Sequence, residues 1–201
     1  MNNTTNYQKF TSVNPIQNYL INNFYDNLLK MVKKIKPQSI LDAGCGEGFT
    51  LAKLKENGIN SSVQGFDSSP VAIKIAKKIH PQIPINLQNI YDLPYPNNSF
   101  DLVICNEVLE HLSDPPTAVK EIVRVSNKNV IVSVPLEPWF QLSNFLRGKY
   151  FRTCGNHPEH INHWSNPSFI LNLSNVSLKT VETKFPFPWM LIWLQKQWKI
   201  F

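Results

Sequence analysis

Cysteine is scarce in this 201-residue chain: Cys45, Cys105 and Cys154 make an odd number without paired spacing. That excludes a disulfide-framed scaffold and favours reduced thiols in a cytoplasm-like compartment. No apolar run approaches the ~18 residues of a membrane span. Met1 to Tyr7 is polar and rich in Asn and Thr, without the basic-plus-apolar signature of a signal peptide. Internal repeats are absent. Acidic residues are outnumbered 14 to 20 by Lys and Arg, a formal charge of +6. The lysines are scattered over helix faces, which is ordinary solvation, so no nucleic-acid partner is expected. The length suits one domain with a sizeable core.

Glycine is also sparse at seven residues, yet three of them fall in Gly44-Cys45-Gly46-Glu47-Gly48. The apolar run Ser39-Ile40-Leu41-Asp42 precedes this turn, and Phe49 to Leu54 has helical spacing after it. Strand, glycine turn and helix together mark where an open α/β sheet binds a nucleotide-like ligand. The spacing is Gly-x-Gly-x-Gly, unlike the Gly-x-Gly-x-x-Gly of dinucleotide folds, which disfavours a nicotinamide oxidoreductase. Asp42 ends the strand beside helix N–H groups, a pairing that suits a zwitterion such as S-adenosylmethionine better than a pyrophosphate.

Val63-Gln64-Gly65-Phe66-Asp67 is a second apolar run ending in an acid, about 25 residues after Asp42. That is the position of a ribose-hydroxyl acceptor in a nucleotide-binding βαβ unit. Ser68-Ser69-Pro70 then starts a helix, with Ser69 as N-cap. The rest of the chain alternates. Asn14-Pro15 opens a helix of about 20 residues with Ile16, Leu20, Phe24, Leu28, Val32 and Ile35 on one face, ended by Pro37. Strands are expected near 38–42, 62–67, 84–89, 100–105 and 129–134, and helices near 48–57, 70–79 and 116–125. A helix near 166–173 and strands near 177–184 and 188–194 complete the pattern, the latter apolar throughout as an interior strand would be.

The ordered set formed by the glycine loop, Asp67, the segment Asn86 to Asp101 and the fourth strand running into Asn106-Glu107-Val108-Leu109-Glu110-His111 resembles the class I S-adenosylmethionine-dependent methyltransferases. The resemblance covers about residues 37–134, within the branch that methylates small molecules. It implies an α/β fold: a Rossmann-like, seven-stranded, mostly parallel sheet with helices on both faces and the last strand antiparallel. It also implies one methyltransferase domain over 1–201, with a helical lid at 1–36, a cofactor-binding core at 37–134, a substrate-side insert at 135–165 and a terminal helix and strand pair at 166–201.

By the same resemblance, Gly44 and Gly46 pack under the methionyl part of the cofactor S-adenosyl-L-methionine, with Cys45 in the same loop. Asp42 holds the amino group, and Asp67 takes both ribose hydroxyls with Ser68 beside it. Asn89 stands where the family usually has an adenine-binding Asp, and its carbonyl oxygen can still accept. Ile90 offers its backbone N–H to the ring, and Asn106 touches the methionyl group. His111 is structural or walls the site.

On the substrate side, His160-Ile161 followed by Trp164-Ser165 fits a family pattern that precedes the last helix, and His160 is the expected general base or substrate ligand. His157, His163 and Trp139 are expected at the substrate. The spacing of His157, His160 and His163 invites a metal, but Pro158 breaks a regular helix and Glu159 is the lone carboxylate there, so no metal is expected. The segment Trp139 to Tyr150 either covers the active site or lies on a membrane surface. The expected reaction is methyl transfer to a small-molecule, glycan or lipid-linked acceptor in the cytoplasm, with peripheral membrane contact left open. The alternative is a non-catalytic S-adenosylmethionine- or nucleotide-binding protein on the same fold.

Overall fold

The computed structural model describes residues 4–146, 153–155, 160–165, 169 and 178–197. Helix α1 spans Thr5–Phe10 and α2 spans Pro15–Ile35. The Asn14 side chain caps α2 by accepting from the N–H groups of Ile16 and Gln17 at 3.0 and 3.1 Å, and Lys36 ends it in the left-handed region just before Pro37. Then come β1 (Ser39–Ala43), α3 (Phe49–Glu56), β2 (Ser62–Asp67), α4 (Pro70–Ile79), β3 (Ile85–Leu87) and β4 (Phe100–Asn106). A 3₁₀ turn at Leu109–His111 leads to α5 (Pro115–Val125), β5 (Ser126–Pro135) and α6 (Trp139–Leu146). Strands β6 (Leu178–Lys184) and β7 (Trp189–Lys196) close the order.

The seven strands pair as β3-β2-β1-β4-β5-β7-β6. The pairings from β3 through β5 are parallel, and β7 runs antiparallel to both neighbours. The expected sheet is therefore present, with β7 interior and β6 at the edge. Two-residue periodicity splits the core into two layers. Ile40, Leu102, Ile104, Ile131 and Leu191 pack with α2, α3 and α4. Leu41, Val103, Cys105, Val132 and Ile192 pack with Ala118, Val119 and Ile122 of α5. Both faces are buried, which explains the near-continuous apolar strands.

Two elements depart from expectation. Strand β3 is three residues long rather than six, because at Asn89 the chain turns: Asn89 Oδ1 accepts from Tyr91 N at 3.1 Å instead of the ladder continuing. Helix α1 forms inside the polar N-terminal stretch, where Thr4 caps it by accepting from Tyr7 N at 3.0 Å and Phe10 stacks on Phe49 at 4.7 Å. The terminal helix expected near 166–173 lies outside the described residues apart from Phe169, which is helical and buried.

Candidate active site

The C-terminal ends of β1, β2 and β4 open onto a cleft of about 1560 Å³. The order reverses here, with β1 between β2 and β4, the switch point where open α/β sheets bind ligands. The glycine turn forms its floor. Gly44 N and Cys45 N both donate to Phe66 O at 2.9 Å, tying the turn to β2. Gly44 has φ +76°, and a Cβ there would lie 2.5 Å from Val108 Cγ2. The turn and the segment after β4 can meet only because that position lacks a side chain.

Asp42 is 1 % exposed, and its Oδ2 has no hydrogen-bond partner among the described residues. Burial, reinforced by the charge of Asp67, pushes its carboxyl up to about 8. Asp67 is held by the loop it faces: Oδ2 accepts from Gly46 N at 2.9 Å and Oδ1 from Ser69 N at 2.8 Å. Each oxygen keeps a second lone pair for a ligand hydroxyl. Asn106 ends β4 with both amide atoms buried and unpartnered among the described residues. Cys45, Ser68, Asn89 and Ile90 also line the cleft. Burial, reinforced by the charge of Asp42, raises the Cys45 thiol above its ordinary range, which disfavours the thiolate.

Helices α1 and α6 wall the opening. Thr4 Oγ1 donates to the buried Glu47 carboxylate, and Asn6 Nδ2 donates to the same group at 2.5 Å, so α1 sits down on the glycine turn. On α6, Phe140 and Asn144 line the cleft one turn apart. Phe140 stacks on His160 with ring centroids 5.4 Å apart, and His160 meets His111 edge-on at 4.9 Å. His160 is positioned by a strap: Ile161 N and Asn162 N donate to Glu110 O at 3.0 and 3.1 Å, and Asn162 Nδ2 donates to Leu112 O at 2.7 Å.

The remaining expected residues stand elsewhere. Trp139 is 52 % exposed and His163 pairs with Glu137, Nδ1 to Oε1 at 3.6 Å; neither lines the cleft. His157 lies outside the described residues.

Sequence reasoning passed over several neighbours. Glu107 has φ +55°, a strained value for a non-glycine residue. Burial raises its carboxyl to about 7, against the opposing pull of Lys9, Trp189 and Ser133. Glu110, 1 % exposed, is raised well above the carboxylate range by burial and then by the charge of Glu107. The closely spaced Glu107, Glu110 and His111 after β4 were a usable signal, since acids and a histidine at a strand's C-terminal end face the ligand side of an open sheet. Gly65 is a second: a Cβ there would lie 2.7 Å from Cys45 Sγ, so a glycine inside β2 lets the turn pack on the strand.

The lining fits a zwitterionic nucleoside such as S-adenosylmethionine: a buried acid with one oxygen unpartnered and a buried amide unpartnered among the described residues, together with a second acid, border one glycine turn.

Comparisons with known proteins agree with this geometry. Residues 41–134 match a family profile described as a methyltransferase domain. The chain is 30 % identical over 105 residues to ajmaline N-methyltransferase of Rauvolfia serpentina, covering 49 % of this chain and 36 % of that protein. It is 30 % identical over 114 residues to the chloroplastic 2-methyl-6-phytyl-1,4-hydroquinone methyltransferase 1 of Oryza sativa subsp. japonica, covering 53 % and 34 %. The match thus spans about a third of the length of these relatives. Across almost the whole chain the fold resembles magnesium protoporphyrin IX methyltransferase from Synechocystis PCC 6803, solved with bound SAH: the TM-score is 0.72 at 16 % identity, covering 97 % and 96 % of the two chains. Residues 41–134 thus resemble a methyltransferase domain, and the seven-stranded sheet has the fold of that solved structure.

Proposed function

We propose that this protein transfers the methyl group of S-adenosylmethionine to a small-molecule, glycan or lipid-linked acceptor. The observation that carries the reading is the convergence of Asp42 Oδ2 and the Asn106 amide, buried and unpartnered among the described residues, on the glycine turn beside Asp67. An unpaired buried polar group costs about 1–3 kcal/mol, so a ligand that pairs these atoms recovers that energy on binding. Asp42 would hold the ligand's ammonium and Asp67 the ribose hydroxyls, with Asn89 and Ile90 at the base.

When bound, S-adenosylmethionine supplies a methyl group already activated by its sulfonium. The protein's task is to align the acceptor and exclude water. The cleft is larger than the ~300–1,000 Å³ of ordinary ligand pockets, which leaves room for an acceptor beside the cofactor. Residues 4–36 would act as a lid, anchored through Thr4 and Asn6 to Glu47, with α6 and the loop carrying His160 as the opposite wall. His160 faces the acceptor as base or ligand. Trp139 and His163, on the outer side of that wall, would meet only parts of an acceptor that project from the cleft. The exposed Trp139, Leu142 and Phe145 of α6 suit an acceptor with an apolar portion or a peripheral lipid surface. No helix among the described residues is long and apolar enough to cross a membrane.

Calorimetric titration with S-adenosylhomocysteine and with NAD tests the cofactor assignment. Saturable binding of the first alone is expected, and NAD binding in its place would overturn it. A methyl-labelled cofactor incubated with fractionated small-molecule extracts then reports turnover. Label transfer is expected, whereas cofactor binding without transfer to any fraction would favour the non-catalytic alternative.

A further inference from the structure

We propose that Glu110, His111 and His160 form a binding site for one divalent transition-metal ion on the acceptor side of the cleft. Each offers a ligand atom, and the three atoms lie within 4.8 Å of one another. Atoms sharing an ion at about 2.1 Å stand no more than about 4.2 Å apart, so small side-chain rotations bring all three into range. The donors come from two segments held in fixed relation. Glu110 and His111 are adjacent on the 3₁₀ turn, and the strap from Ile161 and Asn162 to Glu110 O fastens the His160 loop to that turn.

Glu110 is the independent pointer to a cation. It is 1 % exposed, and neither carboxylate oxygen has a hydrogen-bond partner among the described residues. Buried acids are retained when they are paired or coordinate a metal. Glu107, just before that turn, adds a second acidic group, with Lys9 as a countercharge in range. Two imidazoles and one carboxylate suit Zn²⁺, Fe²⁺, Co²⁺ or Mn²⁺ better than Ca²⁺ or Mg²⁺, which prefer all-oxygen shells.

All three residues line the cleft, so the open coordination positions face the acceptor. The consequence rests on the proposed methyl transfer: the acceptor is an oxygen nucleophile. An acceptor hydroxyl bound at the open position would release its proton to solvent more readily. The new O–C bond would then form as the C–S bond breaks, leaving the cofactor as a neutral thioether.

The test needs no turnover. The full chain, stripped with chelator, is titrated with Co²⁺ while the visible d–d absorption is followed, with Zn²⁺ as competitor. S-adenosylhomocysteine binding is measured separately in chelator. One saturable equivalent of Co²⁺ is expected. Glu110→Gln and His160→Ala should each weaken it about tenfold or more, with circular dichroism and S-adenosylhomocysteine affinity retained, while His163→Ala leaves it unchanged. Should Glu110→Gln fail to fold, His160→Ala carries the test, because His160 lies on a loop at the cleft edge. The site is refuted if the wild-type chain shows no saturable Co²⁺ spectrum, or if His160→Ala keeps wild-type Co²⁺ affinity. Loss of S-adenosylhomocysteine binding alone would overturn the proposed reaction and leave the metal site standing.

Discussion

Replacing Asp42 with Asn should make the unliganded protein more stable at neutral pH while weakening its hold on the cofactor. The Asp42 carboxyl is buried, and its affinity for a proton is raised from 3.8 to about 8. In the unfolded chain the same acid ionises near its ordinary value. Because the folded value is raised, its contribution to stability is fully present below about pH 4 and declines as pH rises to about 8. At pH 7, about three units above the unfolded value, keeping this acid neutral in the fold costs about 4 kcal/mol at ~1.36 kcal/mol per unit. Asparagine removes that penalty but leaves a buried amide unpaired, which returns about 1–3 kcal/mol.

The net gain is therefore about 1–3 kcal/mol at pH 7 and close to nothing at pH 5, where the penalty is only about 1–2 kcal/mol. For a chain of this size each kcal/mol moves Tm by about 2–4 °C. Differential scanning calorimetry of both proteins at pH 5, 6, 7 and 8, without ligand, reads the difference directly. It should open from near zero to several degrees as pH rises. Comparing variant with wild type cancels Glu107 and Glu110, whose raised values tilt both curves the same way. A difference that stays flat with pH, or that shrinks toward pH 8, would refute the burial argument. In the same samples, S-adenosylhomocysteine should raise the wild-type Tm more than that of the variant, since the ligand's ammonium loses its carboxylate partner.

Three further outcomes are expected. Asp67→Ala should lower S-adenosylmethionine affinity by about tenfold or more, since each charge-assisted hydrogen bond to ribose contributes about 1.5–3 kcal/mol; unchanged affinity by calorimetry would remove Asp67 from the site. Gly44→Val should abolish cofactor binding with native circular dichroism, and Gly44→Ala combined with Val108→Ala should recover part of it, because the 2.5 Å clash with Val108 is relieved while φ +76° remains unfavourable. His160→Ala should reduce methyl transfer by about 10²-fold with cofactor affinity unchanged if His160 acts at the reacting oxygen. A loss confined to KM would make it a positioning residue, and a lower Tm with an intact rate would make it structural.

Much of the fold was legible because local and global preferences agree. Asn14-Pro15 and Ser69-Pro70 start helices where the cap side chain and the missing N–H both favour it. The apolar runs at 39–43, 62–67 and 100–106 became parallel interior strands for the same reason they looked continuous: both faces are covered. Helix α1 was not legible, since six residues form a helix here through contacts with Phe49 and Glu47 that lie more than 35 positions away. Strand β3 was expected but overextended, because an Asx turn at Asn89 competes with the ladder and leaves no apolar signature.

The site divides along the same line. Asp42, the glycine turn and Asp67 could be read from the chain because a strand, a tight turn and a helix start are local, and chemistry at a strand's end follows from where the strand stops. The pairing of Glu110 with His160 could not, because those residues are 50 positions apart and meet only through the strap onto the 3₁₀ turn. Nor could spacing rank His157, His160 and His163, whereas the structure puts His160 against His111 and turns His163 toward Glu137. The sequence by itself determined the sheet and the order of its strands, which depend on short-range pattern and burial. Only the tertiary structure decided which acid is left unpaired, which histidine faces the cleft and how the N-terminal helix closes on Glu47, because burial and long-range contact, not residue type, set those outcomes.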